Sequence, residues 1–260
     1  MIASLTPRIR GLILDMDGVL WKDTQAIGDL PKIFERIREQ GIKVVLVTNN
    51  ATKEISEYLK KFGDFGVTLK AEQIITSAHG VVELLKERFP NGGKVFIVGE
   101  DSLKRVLALD GFIHSEDRPL AVVAGMDRGI NYEKLSMACL LVRSGLPFIG
   151  TNPDTSFPTP QGLIPGAGAI ITALEVSTDQ KAIIAGKPSP LLYEVALHRL
   201  GTTLDETLAV GDRFETDIVG GQVFGCKTAL VLSGVSTIEQ SEQWKPRPDL
   251  VVQNLTELIG

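Results

Sequence analysis

At 260 residues, 43 % apolar and 23 % charged, the chain holds enough material for one large domain or two of moderate size. Its formal net charge of −5, with no long basic run, argues against a nucleic-acid partner. No apolar run approaches the ~20 residues a membrane helix needs, and Met1 to Arg8 lack the features of a secretory signal, so a cytoplasmic protein without a membrane partner is expected. The two cysteines, Cys139 and Cys226, lie far apart, and neither sits in a C-x-x-C pair. Free thiols in a reducing compartment are the simplest account, with a single disulfide left open. His79, His114 and His198 are scattered without zinc spacing.

Leu12, Ile13 and Leu14 form a short apolar stretch suited to a strand buried on both faces. It ends on two carboxylates, Asp15 and Asp17, before Gly18 permits a sharp turn. Acids at the C-terminal end of a buried parallel strand stand where open α/β sheets bind ligands. Two close anions repel each other, and a bound cation relieves the repulsion. One can then be a nucleophile and the other an acid/base group. The alternative is a strand followed by an ordinary Asp-Gly turn. Trp21, just beyond, either lines an entrance or packs in the core.

A helix is predicted over 30–40 from Leu30, Ile33, Phe34 and Ile37, with a stop at Gly41, followed by a buried strand over 42–47. Thr48, Asn49 and Asn50 at its end offer a hydroxyl and amides to a phosphate, or else cap the next helix. That helix is predicted over 52–62, from Ile55, Tyr58, Leu59 and Phe62. The β-α-β-α order implies a parallel sheet with right-handed crossovers. The middle of the chain alternates in its own right: a helix at 81–85, strands at 95–98 and 120–124, a helix over 132–144 and a strand at 147–150. Residues 152–168, dense in Pro and Gly, read as one long loop, and its length favours a functional role over a plain connector. Gly166 and Gly168 look like half of a dinucleotide fingerprint. They lack a third glycine and follow Pro165, so they are read as loop geometry facing substrate, not as a cofactor site.

Buried-strand character returns at 182–185, 207–210, 228–232 and 249–252. Lys187, between Gly186 and Pro188, either neutralises a phosphate or is an ordinary exposed lysine before a helix starting near Pro190. Asp212, at a strand end, is a natural ligand for a hard cation. Asp217 reaches a metal through water, orients its neighbours, or serves with Glu215 as a helix N-terminal acid. The organisation predicts a sheet domain split in sequence, 1–78 and 182–260, with a second domain inserted over 79–181.

Taken in order, Asp15/Asp17, Thr48, Lys187 and Asp212/Asp217 resemble the four motifs of the haloacid dehalogenase-like hydrolase superfamily. The segments 17–21 (Asp-Gly-Val-Leu-Trp), 47–50, 123–127 with Tyr132, 151–154 and 165–168 are similar to the NagD-like/4-nitrophenylphosphatase branch. The resemblance implies a Rossmann-like, doubly wound α/β core with an inserted smaller α/β cap of class II. It implies a phosphatase in which Asp15 attacks phosphorus and Asp17 protonates the leaving alcohol, then activates water. Mg²⁺ would be held by the Asp15 carboxylate, the Asp17 carbonyl and Asp212, with Asp217 in support. Thr48, Asn49 and Lys187 would hold the phosphate, and Asn152 and Asp154 would belong to the loop facing substrate. The expected partner is a small phosphomonoester, and the resemblance adds a homodimer through the cap. The competing readings are a phosphotransferase or phosphomutase, and a non-enzymatic sensor of a phosphate ligand.

Overall fold

The computed structural model describes residues 1–159 and 161–260. Contacts divide the chain into two compact units, one of Met1–Thr48, Ile55–Ile75 and Pro188–Gly260, the other of Asn49–Glu54 and Thr76–Lys187.

The first unit is built on a six-stranded sheet in the order Leu250–Val252, Lys227–Val231, Thr207–Gly211, Gly11–Leu14, Lys43–Thr48, Ile74–Thr76. The central strand runs parallel to both neighbours, with Leu12 opposite Leu208 on one side and Val44 on the other. All four of its residues are buried, as its unbroken apolar run requires. Successive side chains leave opposite faces of a strand. Accordingly Leu12 and Leu14 join Phe34, Phe62 and Leu258 in one core, while Ile13 joins Val45, Val47, Leu192 and Ala196 in another. Helices thus cover both faces of a parallel sheet, the doubly wound α/β arrangement. The helix Leu30–Glu39 illustrates the local logic. The Asp29 side chain accepts from Lys32 N at 3.2 Å, Pro31 sits in the first turn, and Leu30, Ile33, Phe34 and Ile37 form the buried stripe.

Gly11–Leu14 leads on to Lys43–Thr48 on one side, and its other neighbour, Thr207–Gly211, leads on to Lys227–Val231 on the other, so the connections of these two adjacent strands run toward opposite edges of the sheet. Such a switch point opens a crevice at the C-terminal strand ends. Asp15 and Asp212 are the residues that follow the two strands beside it.

The second unit has its own five-stranded sheet, ordered Ile183–Ile184, Phe148–Gly150, Val122–Ala124, Gly93–Val98, Phe112–His114. Its strands pair in parallel. Ser77–Arg88 and Asp101–Leu109 supply one apolar layer, and Tyr132–Arg143 and Ala167–Thr178 the other. The segment predicted as one long loop departs from expectation. Ser156–Thr159 and Gly162–Pro165 pair as an antiparallel hairpin, and a helix begins at Ala167; Pro160, within the segment, lies outside the described residues. Gly166 is the residue that caps this helix. A side chain on Gly168 would strike the Pro153 carbonyl, so these glycines serve close backbone packing at a helix start.

Candidate active site

Asp15 prolongs the central strand, its N–H donating to the Val210 carbonyl at 2.9 Å. In the loop that follows the strand, Asp15 is half-buried, Met16 is fully buried and Asp17 is exposed. Gly18 turns the chain with φ of +85°, and a side chain there would run into the Asp212 carboxylate. The turn is tied down by the Ser233 hydroxyl, which donates to the Gly18 carbonyl at 2.7 Å.

Asp212 is buried at the end of Thr207–Gly211, and its Oδ2 accepts from the Val235 N–H at 2.7 Å. Asp217 is reached through a five-residue π-helical turn, Phe214–Ile218. Such turns bulge the backbone and often mark functional positions. Here the bulge returns the Asp217 carboxylate against Gly211, and its Oδ2 accepts from the Arg213 N–H at 3.1 Å. The Tyr193 hydroxyl anchors the turn by donating to the carbonyls of Asp217 (2.9 Å) and Thr216 (3.3 Å).

Carboxylate oxygens of Asp15, Asp212 and Asp217 consequently lie within 4.8 Å of one another. The side chain of Asp17 takes a different place, with Oδ1 accepting from the Trp21 indole N–H at 2.7 Å. Thr48 is buried at the end of its strand. Tyr58 is a neighbour that sequence reading assigned only to a helix face. Burial, then the nearby Asp17 carboxylate, holds its hydroxyl well above the ordinary tyrosine range, against an opposing hydrogen bond with the Thr48 side chain.

In the second unit, Asn49, Asn152 and Lys187 are buried and Asp154 is half-buried. The Asn49 side-chain amide donates to the Lys187 carbonyl at 3.0 Å and to Asp154 Oδ1 at 3.3 Å. Asn152 donates to the Asn49 carbonyl at 2.7 Å, and its own Oδ1 accepts from the Asp154 N–H at 3.1 Å. These residues, more than a hundred positions apart, form one polar network that fixes the backbone on either side of Asn49 and Lys187. Gly186 is part of it: its N–H donates to the Thr151 carbonyl at 2.7 Å, and a side chain there would meet Asn49.

The model of haloacid dehalogenase-like hydrolases matches residues 12–113, and a second model, of HAD-hydrolase-like proteins, matches 184–258. The chain is 32 % identical to the 5'-nucleotidase YutF of Bacillus subtilis over 250 residues, covering 96 % of this chain and 97 % of that one. It superposes on a 4-nitrophenylphosphatase from Thermotoga maritima with a TM-score of 0.91 at 35 % identity, covering 96 % of each chain. A glycerol phosphate phosphatase of Mycobacterium tuberculosis, solved with magnesium, aligns with a TM-score of 0.90 at 32 % identity over 96 % of this chain and 76 % of that one.

Proposed function

The chain belongs to the haloacid dehalogenase-like hydrolases, in the branch of NagD and the 4-nitrophenylphosphatases, and is a phosphoric monoester hydrolase; from that premise we propose that it hydrolyses small phosphomonoesters with Mg²⁺ through an aspartyl-phosphate on Asp15. The observation that carries the reading is the separation of two acids in one loop. Asp15 points into the acidic cluster, while Asp17 is held away from it by Trp21.

The donor set fits a divalent cation. Three carboxylates converge, two of them on buried residues, and such a concentration of like charge calls for a counter-ion. All three offer hard oxygen donors, which suit Mg²⁺ over softer metals. The Asp15 and Asp212 carboxylates and the Asp17 carbonyl would hold it, with Asp217 alongside. When bound, Mg²⁺ offsets the repulsion between an anionic nucleophile and an anionic ester.

Asp15 attacks phosphorus as the ester P–O bond breaks. Asp17 delivers its proton to the departing oxygen, so the alcohol leaves neutral. Water then attacks the phosphoryl group, Asp17 takes its proton, and inorganic phosphate and free Asp15 result. The Thr48 hydroxyl and the Lys187 ammonium are assigned to the phosphate oxygens. The Asn49 side chain is engaged with Lys187 and Asp154, so we assign Asn49 to the phosphate through its main-chain N–H. Asn152 and Asp154 hold that segment in shape, and the second unit takes the role of a cap. The relatives act, by name, on a nucleotide, a nitrophenyl ester and glycerol phosphate. What these share is a monoester of small size, and that is the class assigned here.

Phosphate release from p-nitrophenyl phosphate and a panel of metabolite phosphomonoesters, with Mg²⁺ or with chelator, tests the reading. Release is expected to need the metal and to fall by at least ~10³-fold in Asp15→Asn. Undiminished release by Asp15→Asn, or by the wild type in chelator, would refute it.

A further inference from the structure

We propose that Trp21 is a positioning residue for proton transfer: its indole N–H fixes the Asp17 carboxylate so that Oδ2, not Oδ1, carries the proton to the leaving oxygen. The inference rests on the reading of Asp17 as the proton carrier.

The geometry starts from spacing. Trp21 lies four residues after Asp17, across a turn closed by the Gly18 N–H, which donates to the Trp21 carbonyl at 2.8 Å. Main chain and side chain of Trp21 therefore grip the same loop from two sides. The side-chain bond, at 2.7 Å to Oδ1, has the length of a charge-assisted hydrogen bond. An indole has a donor and no acceptor, so it holds whichever oxygen it touches unprotonated. The proton on the neutral acid is thereby confined to Oδ2.

A donor can position its partner only if it is itself held, and Trp21 is held on every side described. It is 1 % exposed although Asp17 is a surface residue. Phe62 meets its ring edge-on at 5.0 Å between centroids, and Phe65 stacks at 6.0 Å. The Lys61 ammonium lies 4.0 Å from the ring centroid and also donates to the Asp23 carbonyl at 2.9 Å, in the turn of the Trp21–Lys22/Gln25–Ala26 hairpin. All three side chains come from the helix Ile55–Asp64 and the residue just after it, so the helix following Lys43–Thr48 braces the acid following Gly11–Leu14. Packing alone would be served by phenylalanine. A buried indole aimed at an exposed carboxylate adds orientation, and misplacement of a reacting group by about 1 Å can cost ~10²-fold in rate.

Such a role has a signature that loss of packing does not share. Alkyl phosphates release a strongly basic alkoxide and need the proton; p-nitrophenyl phosphate releases a stable phenolate and needs it little. The experiment compares kcat/KM for glycerol phosphate and p-nitrophenyl phosphate in wild type, Trp21→Phe and Asp17→Asn. A further variant replaces the indole of Trp21 by its sulfur isostere benzothiophene, in a Trp244→Phe background measured alongside. The isostere keeps the volume and removes only the N–H, so it remains informative if Trp21→Phe folds poorly. Both Trp21 variants are expected to lose about 10-fold or more on glycerol phosphate relative to p-nitrophenyl phosphate. Equal losses on the two esters, or none, in the isostere would overturn the inference while a selective loss in Asp17→Asn leaves the mechanism standing. An Asp17→Asn variant without that selectivity would instead overturn the reading of Asp17 and the inference with it.

Discussion

Gly18 shows how tightly the site is drawn at the scale of one residue. Its positive φ disfavours any L side chain by about 1–2 kcal/mol, and a methyl group would also press on Asp212. Gly18→Ala is therefore expected to fold, with a lower melting temperature, and to lose at least ~10-fold in kcat; unchanged kcat would mean that Asp212 does not need its present place. Asp15 and Asp212 were legible in the sequence because each directly follows a short apolar strand, and register fixes what stands at a strand end. Asp217 was legible as an acid near a metal, but whether it stands in the cluster or caps a helix was not. Its position depends on a π-helical turn, whose extra residue changes which side chains share a face and leaves no mark on apolar periodicity. Trp21 showed only that an aromatic follows the loop. Its hydrogen bond comes from a hairpin of two-residue strands, too short to give a pattern. Cys226 is a residue of the opposite kind, a buried thiol whose burial pushes its pKa up to about 12. It is expected to resist alkylation at neutral pH until the protein unfolds; rapid modification in the native state would contradict its placement.

Among elements, strands were easier to read than the connections between them. The runs at 12–14, 44–47 and 208–210 are apolar throughout because both faces of the sheet are covered, and no turn residue interrupts them. The helix Asp101–Leu109 escaped notice: polar and charged residues interrupt its buried positions, Ser102, Leu103 and Leu107. The hairpin at Ser156–Thr159 and Gly162–Pro165 was hidden by its prolines, which sit badly in a sheet interior and are tolerated in an isolated two-stranded ribbon. The helix Ala167–Thr178 was hidden by its glycines. There the small residue is a packing requirement, and Gly168→Ala is expected to destabilise the protein by about 1–3 kcal/mol in denaturant titration; a neutral effect would mean that the Pro153 carbonyl can yield. The π-helical turn makes a parallel case. Tyr193→Phe removes its anchor and is expected to cost about 1 kcal/mol and to raise the Mg²⁺ concentration giving half-maximal activity; an unchanged Mg²⁺ dependence would separate the turn from the metal.

At the scale of the whole molecule, the residues assigned to the proposed chemistry occur in both units of the chain. The first carries Asp15, Asp17, Asp212 and Asp217 on one doubly wound sheet; the second carries Asn49, Asn152, Asp154 and Lys187 in one polar network. The alternation of elements foretold both sheets, because each is an α/β layer with its own core. Networks such as Asn49–Asp154–Lys187 were not foretold, since contacts across more than a hundred residues leave no local pattern. The proposed chemistry stands on a covalent phosphate on Asp15, and the most direct measurement looks for it. Enzyme quenched in acid during turnover of p-nitrophenyl phosphate with Mg²⁺ is digested and its peptides are weighed by mass spectrometry. A phosphoryl group on Asp15 is expected, absent from Asp15→Asn and lost from the wild type once substrate is exhausted. Continued turnover with Asp15 unmodified, or with the phosphoryl group on another residue, would contradict the account.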